Sequence, residues 1–252
     1  MKNFMYVWNM KQKVIAMIPA RYAATRFPAK LMKILGDKPV ICHTYGAVLA
    51  SGLFDAVYVI TDSDIIFNEI TSRGGQAVMS RHAHESGTDR IAEAVENMDV
   101  DIIVNVQGDE PFIQAEPLRA LVGLFDNPAV QVASLKRKFT ATDDVSNPNA
   151  VKVVTSLSGR ALYFSRSTVP FNRDAADGVP YYLHVGVYAF RKQALMKFTQ
   201  LPPAFLEKTE KLEQLRFLSN DIDIYMAETD YRNIAIDTPE DLERASQLLR
   251  SK

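Results

Sequence analysis

The chain has 252 residues, of which 47% are hydrophobic and 23% charged, and a formal net charge of −1. These values are typical of a globular domain and give no overall electrostatic reason to expect a nucleic acid or an anionic membrane as partner. The single cysteine, Cys42, excludes an intrachain disulfide, and no stretch approaches the roughly 20 apolar residues of a membrane-spanning helix, so we expect a soluble cytoplasmic protein.

The first half of the chain has the pattern of an α/β fold. Residues 1–13 are mixed and amphipathic without secretory-signal features, so we interpret them as an N-terminal extension, or as the result of a wrongly chosen start, before a single domain over residues 14–252. Short β-branched runs then alternate with helical patterns, which predicts a mainly parallel central sheet with helices on both faces. Strands are predicted at residues 14–18, 56–61 and 102–107, and helices at residues 39–51, 64–73 and from Ser86 onward.

The second half begins with a β-rich insertion over about residues 134–190. Its longer β segments are separated by a stretch that contains proline and aspartate. The α/β pattern then returns and continues to the end of the chain. The strands of the insertion are predicted at residues 151–155, 161–164 and 183–190, followed by a helix at 208–217, a strand at 222–227 and a last helix from Thr238.

The loop after the first predicted strand is the most informative segment. It carries three cations, Arg21, Arg26 and Lys30, at the carboxyl end of a strand, where α/β sheets bind their ligands. Pro19 and Pro28 restrict the loop at both ends. Because a triphosphate needs such positive charge, we interpret the loop as a phosphate site, and a solvated basic loop is the alternative that charge alone leaves open.

Two acidic turns are candidate metal sites. Asp109 and Glu110 directly follow a strongly apolar predicted strand, where carboxylates are well placed to hold Mg²⁺ against phosphate oxygens. Asp237 precedes Thr238 and Pro239, a pair typical of a helix N-terminus. A helix cap is the simpler interpretation of either turn alone, so Asp237 is a candidate ligand only in company with Asp109.

The histidines and the cysteine give weaker signals. His82 and His84 have no acidic or thiol partner at metal-ligand spacing, and we interpret them as loop residues. Cys42 and His43 fall in a helical pattern without a Ser-His-Asp or Cys-His arrangement, which argues against a covalent nucleophile. His184, taken alone, predicts a core or hydrogen-bonding histidine.

Seven segments, in the same order along the chain, carry a resemblance to a known family. The sequence resembles the 3-deoxy-manno-octulosonate cytidylyltransferases of lipopolysaccharide biosynthesis from about Val14 to the last helix. Seven matches in the correct order make the probability of a chance similarity very small. The segments are IPARY at residues 18–22 with Thr25, Arg26 and Lys30 behind it, SGTDR at 86–90, NVQGDEP at 105–111, NPNAVK at 147–152, ALYFSR at 161–166, LEQLR at 212–216 and DTPED at 237–241.

This resemblance implies a nucleotide-diphospho-sugar transferase-like fold and a cytidylyl transfer reaction. The anomeric hydroxyl of the acidic sugar 3-deoxy-D-manno-octulosonate (Kdo) attacks the α-phosphorus of CTP and gives CMP-Kdo and pyrophosphate. It also implies Mg²⁺ and a homodimer, with the β-rich segment as a lid or dimerisation region. The implied contacts are Arg21, Arg26 and Lys30 with the CTP phosphates; Ala20, Thr25, Ser86, Gly87, Thr88 and Gln107 with the nucleotide; Asp109 and Asp237 with the metal; and Arg90, Arg166, His184, Tyr188, Glu213 and Gln214 with the sugar.

The first loop departs from the family pattern. Ala23, Ala24 and Ala29 stand at positions that are commonly Gly, Ser and Gly, and Leu31 replaces a usual proline. Glycine would let backbone amides approach phosphate and adopt positive φ, which alanine resists. The three cations are in place, so we expect activity to be retained.

Three alternatives remain open at this point. The sugar is Kdo or a related acidic sugar, such as 8-amino-Kdo or a sialic-acid-like compound. A glycosyltransferase that uses a nucleotide sugar would share the α/β layout and acidic metal site, but it does not explain the cation series from Arg21 to Lys30. A nucleotide-binding protein without activity is disfavoured because Asp109, Asp237 and Lys30 are all present. The sequence names no general base and does not distinguish one metal ion from two.

Overall fold

The computed structural model describes residues 12–23, 27–84, 86–232 and 234–250, so residues 1–11 of the predicted extension lie outside it. In chain order the strands are β1 (Val14–Ala20), β2 (Ile34–Leu35), β3 (Lys38–Pro39), β4 (Ala56–Thr61), β5 (Ala77–Met79), β6 (Ile102–Asn105), β7 (Val132–Lys138), β8 (Lys152–Thr155), β9 (Ala161–Ser165), β10 (Tyr182–Arg191) and β11 (Ile224–Glu228). The helices are α1 (Val40–Ala50), α2 (Asp64–Ser72), α3 (Gly87–Val95), α4 (Ala115–Gly123), α5 (Lys192–Phe198), α6 (Phe205–Glu210), α7 (Leu215–Leu218) and α8 (Pro239–Arg250), and two 3₁₀ helices cover Lys30–Met32 and Leu124–Asp126.

The central sheet is mainly parallel, as the sequence predicts. Its strand order is β11-β7-β10-β6-β1-β4-β5. Along this path β10 alone runs antiparallel to its neighbours β6 and β7, and every other pair is parallel. The β8–β9 hairpin attaches to β10 beside the main path, and β2 and β3 form a separate small hairpin. The predicted β-rich insertion therefore extends the main sheet through β10.

Helices cover both faces of this sheet. The first core contains α1, α2, α4 and α8, and the second contains α3, α5 and α7. In β1, Ala16, Ile18 and Ala20 face the first core, while Ile15 and Met17 face the second. Covering both faces explains why this strand is a continuous apolar run in the sequence. None of the described helices combines the length and apolar character needed to cross a bilayer.

The predicted helix at residues 208–217 is wrong. Lys211 adopts a left-handed conformation with φ of 54°, which ends α6, and α7 begins only at Leu215. Leu212, Leu215 and Phe217 are all buried in the second core. Their spacing therefore has a helical period, although Leu212 lies before the start of α7 and the helix is not continuous between Leu212 and Leu215. The break places residues 213 and 214 between two short helices.

Phe198→Ala is expected to lower the free energy of unfolding by about 3–5 kcal/mol. Phe198 is fully buried, and its ring centroid lies 4.3 Å from that of Phe217. Urea unfolding measures the change. Phe205→Ala truncates a ring that is 79% exposed, and this control should stay within about 0.5 kcal/mol of the native protein. Equal losses in both variants would contradict the placement of Phe198 in the core.

Candidate active site

The carboxyl ends of β1 and β6 lie at the same edge of the sheet because these strands are parallel neighbours. The loop after β1 carries Lys30, and the turn after β6 carries Asp109. These segments border a cleft of about 210 Å³, which we call the Lys30 cleft. Its lining consists of Pro19, Arg21, Ala23, Lys30, Leu31, Gly87, Gln107, Gly108 and Asp109.

The Lys30 ammonium bridges two carboxylates from distant parts of the chain. Lys30 Nζ lies 2.5 Å from Asp109 Oδ2 and 2.7 Å from Asp237 Oδ1. Burial lowers the pKa of Lys30, but Asp109 and Asp237 together outweigh burial and hold the pKa above its usual value. The lysine is therefore charged. The two carboxylates that the sequence analysis considered together lie at one site, and their metal role stays a prediction.

Backbone contacts fix the turn that carries Asp109. Thr44 Oγ1 donates to Gly108 O at 2.8 Å, and Ile236 N donates to Asp109 O at 2.9 Å. A Cβ on Gly108 would lie only 3.1 Å from Ile41 Cδ1. A side chain at this position would therefore be crowded, and the turn is tied both to α1 and to the segment that precedes α8.

The turn at Asp237 serves two purposes. Thr238 Oγ1 accepts from Asp241 N at 3.2 Å, while Asp241 Oδ2 accepts from Thr238 N at 2.9 Å. This reciprocal pair caps the N-terminus of α8. The helix-cap interpretation therefore holds for Thr238 and Asp241, whereas the Asp237 carboxylate contacts Lys30.

A second cleft lies beside the first and shares two of its wall residues, Gly87 and Gln107. We call it the Tyr188 cleft, and its volume is about 190 Å³. The amide Nε2 of Gln214 is buried in its wall and has no hydrogen-bond partner among the described residues. The lining consists of Gly87, Thr88, Asn105, Gln107, Tyr188, Phe190, Glu213, Gln214 and Phe217.

The break between α6 and α7 brings Glu213 into the Tyr188 cleft. Burial raises the pKa of Glu213, and hydrogen bonds with Thr88 and Ser86 oppose that rise. Burial also raises the pKa of Tyr188, and the nearby Glu213 charge adds to the effect. The cleft wall therefore combines amides, hydroxyls and one carboxylate with aromatic surface, a set suited to a polyhydroxylated ligand.

Arg90 is placed away from both clefts. Its side chain is 1% exposed, and it donates to Asp62 Oδ2 at 2.6 Å and to Ser80 Oγ at 2.9 Å. Arg90 Nε has no hydrogen-bond partner among the described residues. The guanidinium contacts a carboxylate of the protein itself and lines neither cleft, and the sugar contact that the resemblance implies stays a prediction.

Arg166 and His184 also have protein partners. Arg166 Nε donates to Glu210 O at 2.7 Å, at the end of α6. His184 Nε2 lies 3.0 Å from Ser134 Oγ, and its ring packs edge-on against Phe164 at 5.0 Å between centroids. Neither residue lines the Tyr188 cleft. Their predicted sugar contacts stay predictions.

The remaining predicted residues divide between the Lys30 cleft and its surroundings. Arg21 lines the cleft, and its Nη2 donates to His84 O at 2.8 Å. His84 is itself held through Nε2, which lies 2.7 Å from Glu93 Oε2. Ala20 is buried at the end of β1, and Ser86 caps α3 by accepting from Asp89 N. Ala24, Thr25 and Arg26 lie outside the described residues.

Sequence reasoning missed several residues of the cleft walls. Asn105 lines the Tyr188 cleft and accepts from Gln107 Nε2 at 3.2 Å. A polar residue at the end of an apolar strand was a usable signal for Asn105. Phe190 and Phe217 also line this cleft, but nothing in their spacing distinguishes them from ordinary core residues.

Asp109 and Asp237 are the residues able to hold a divalent ion. Their oxygens already converge on one cation, the Lys30 ammonium. One or two carboxylates completed by phosphate oxygens form a usual Mg²⁺ environment. In the part of the chain that the structure describes, no group of three His, Cys, Asp or Glu side chains forms a further metal site.

Comparison with known proteins identifies the family. The family model described as cytidylyltransferase matches residues 15–224, so the chain is a nucleotidyltransferase. A curated relative from Flavobacterium johnsoniae is 58% identical over 94% of this chain and 99% of its own length, and one from Christiangramia forsetii is 53% identical over 95% and 98%. Both are named 3-deoxy-manno-octulosonate cytidylyltransferase. The chain belongs to this family.

A solved structure agrees with this assignment. It is described as CMP:2-keto-3-deoxy-manno-octonic acid synthetase complexed with CTP. Its sequence is 38% identical to the chain, and the alignment covers 95% of this chain and 99% of that one. The TM-score of 0.90 shows that the two folds match along nearly their whole length, which confirms the predicted fold class.

Ala29→Gly is expected to raise the free energy of unfolding by about 0.5–1 kcal/mol. Ala29 has a φ of 54° directly before the 3₁₀ helix Lys30–Met32, so its Cβ is unfavourable there. Denaturant unfolding measures the gain. Ala120→Gly, inside α4, is the control and should lose about 1 kcal/mol. A loss of stability at both positions would contradict strain at Ala29.

Acid is expected to destabilise the fold through His184. Burial lowers the pKa of His184 from 6.5 to about 4, so between these values the unfolded state binds a proton that the folded state does not. This contribution is complete above about pH 6.5 and is lost as the pH falls toward 4, by about 2–3 kcal/mol. Unfolding free energies of the native protein and His184→Gln, measured across this range, should converge at low pH. A parallel pH dependence would contradict the assignment.

Proposed function

We propose that this protein transfers CMP from CTP to Kdo and releases pyrophosphate. The observation that carries the proposal is the pair of adjoining clefts, one bordered by Lys30 and Asp109 and the other by polar and aromatic groups, with Gly87 and Gln107 in both walls. A triphosphate in the first and a sugar in the second would meet at the shared wall. The names of the relatives and the CTP complex of the similar structure support this assignment.

The Lys30 cleft supplies the charge that CTP requires. Lys30 and Arg21 line it and are both cationic groups suited to phosphate oxygens. Asp109 and Asp237 would hold Mg²⁺, which neutralises phosphate charge and polarises the phosphoryl group when bound. Lys30 contacts both carboxylates, so it is placed to move between them and the phosphates of the nucleotide. The cleft thereby favours the charge that develops on the leaving pyrophosphate.

The Tyr188 cleft orients the acceptor sugar. The cleft offers hydrogen-bonding groups of Gln107, Gln214 and Thr88 to the sugar hydroxyls, and the Glu213 carboxylate can accept hydrogen bonds from these hydroxyls. The sugar hydroxyl oxygen forms a bond to the α-phosphorus. At the same time the bond between the α-phosphorus and the oxygen that bridges the α- and β-phosphates breaks. The electron pair leaves with pyrophosphate, and the hydroxyl proton passes to solvent. Most of the rate enhancement would come from this positioning, together with charge neutralisation in the Lys30 cleft.

A related acidic sugar with an amino group is the second candidate substrate. Glu213 is the one acidic or basic side chain in the described lining of the Tyr188 cleft. A carboxylate there would favour an ammonium substituent, as in 8-amino-Kdo, over a hydroxyl. Supply of the activated sugar to lipopolysaccharide synthesis in the cytoplasm, and a homodimer formed through residues 134–190, stay proposals based on the family resemblance.

The decisive experiment measures pyrophosphate release from CTP in the presence of Mg²⁺. Separate reactions contain Kdo, 8-amino-Kdo, a sialic acid, or no sugar at all. We expect release that depends on Kdo. A strong preference for another acidic sugar would keep the reaction and change the substrate. The absence of pyrophosphate release with every sugar would contradict the proposed reaction.

Asp109→Asn is expected to lower kcat/KM for CTP by about 10²–10³-fold and to raise the Mg²⁺ concentration needed for half activity. The amide keeps the size of the side chain but removes the charge. Asp126→Asn removes an exposed carboxylate that lines neither cleft and serves as the matched control. Equal Mg²⁺ dependence of the two variants would argue against Asp109 as a metal ligand.

A further inference from the structure

The ladder between β7 and β10 is interrupted next to the Tyr188 cleft. Val185 is opposite Leu135, but Tyr188 is opposite Ser134. Two residues of β10, Gly186 and Val187, are therefore inserted where β7 has none. Such bulges occur where a strand has to redirect a side chain at a functional site.

This bulge decides where Tyr188 lies. A continuous ladder from Val185 onward would pair Tyr188 with Val132, two residues further along β7, which is a distance of about 7 Å. With the bulge, Tyr188 is instead level with Asn105, the last residue of β6. Asn105 and Tyr188 both line the cleft. The two extra residues therefore place Tyr188 at the edge of the sheet where the cleft opens.

The Ser134 hydroxyl holds the bulge from inside the sheet. Ser134 is fully buried, and its Oγ lies 2.9 Å from Val187 O and 3.3 Å from Val185 O. Its single proton is donated to the nearer carbonyl. Val185 precedes the inserted pair and Val187 is its second residue, and a buried carbonyl without a donor is costly. Ser134 thus satisfies the Val187 carbonyl, where the regular ladder fails.

His184 completes the arrangement. Its Nε2 lies 3.0 Å from Ser134 Oγ, and because the hydroxyl donates to Val187 O, the histidine donates to the hydroxyl. The His184 ring also lies against Tyr188, with 5.3 Å between centroids. One buried hydroxyl therefore links the bulge backbone to the ring that packs on Tyr188.

We propose that Ser134 is a positioning residue for the acceptor sugar, acting through the β10 bulge that sets Tyr188 in the cleft. This proposal rests on the proposed function, because it assigns the sugar to the Tyr188 cleft. Ser134 does not line the cleft. It therefore affects the sugar only through the position of Tyr188.

The kinetic test uses Ser134→Ala, with Ser134→Thr as the variant that keeps the hydroxyl. Ser134→Ala should raise the KM for Kdo about tenfold and change the KM for CTP less than about twofold. Ser134→Thr should recover most of the loss. Ser51→Ala, which removes a hydroxyl that donates to Val48 O at the end of α1, is the matched control and should behave as the native protein.

A double-mutant cycle with Tyr188→Phe separates positioning from a general structural role. If Ser134 acts through Tyr188, Ser134→Ala should change the KM for Kdo by less than about twofold in the Tyr188→Phe background. Full additivity of the two substitutions would overturn the proposal. An equal rise in the KM for CTP and for Kdo would overturn it as well, because that result indicates a general disturbance of the sheet.

A second measurement needs no substrate. Amide hydrogen exchange over residues 184–190 should be at least about tenfold faster in Ser134→Ala than in the native protein and in Ser51→Ala. Unchanged exchange would show that the hydroxyl does not hold the bulge and would overturn the proposal. If the native protein fails to use Kdo, the proposed function fails and the sugar-positioning role fails with it, while the exchange experiment decides separately whether the Ser134 hydroxyl holds the bulge.

Discussion

The contact of one lysine with two carboxylates organises the edge of the sheet at which both clefts lie. Lys30 follows β1, Asp109 follows β6, and Asp237 precedes α8. Two carboxylates this close repel one another unless a cation lies between them. The parallel pairing of β1 with β6 brings the first two together, and the bond from Ile236 N to Asp109 O brings the third. The fold is therefore constrained to deliver three distant segments to one point.

The second constraint is the shared wall between the two clefts. Gly87 begins α3 and Gln107 follows β6, so the wall belongs to the same edge of the sheet as the lysine contact. A Cβ on Gly87 would lie 3.1 Å from Pro19 Cγ, so the glycine allows a close approach of α3 to the end of β1. The antiparallel strand β10 then contributes Tyr188 from the other side. The geometry thus sets a charged cleft directly beside one that is lined by amides, hydroxyls and aromatic rings.

The sequence predicted residues well where their roles are local. The predicted strand at residues 56–61 matches β4 in full, and the helix predicted from Ser86 onward is α3, with Ser86 as its cap. The predicted helix at 208–217 failed because buried apolar residues keep a helical period across the break at Lys211. Arg90 has the right chemistry for a sugar carboxylate, yet its partners Asp62 and Ser80 come from elsewhere in the chain, and spacing carries no information about them.

By itself, the sequence determined the α/β class, the family and the cation and carboxylates of the Lys30 site, because strand periodicity and ordered motifs are local properties of the chain. Only the tertiary structure decided that Lys30 bridges Asp109 and Asp237, and that His184 contacts Ser134 rather than a cleft. The same holds for the bulge in β10. Register and side-chain partners arise from packing between segments that are distant in sequence, and no local pattern encodes that packing.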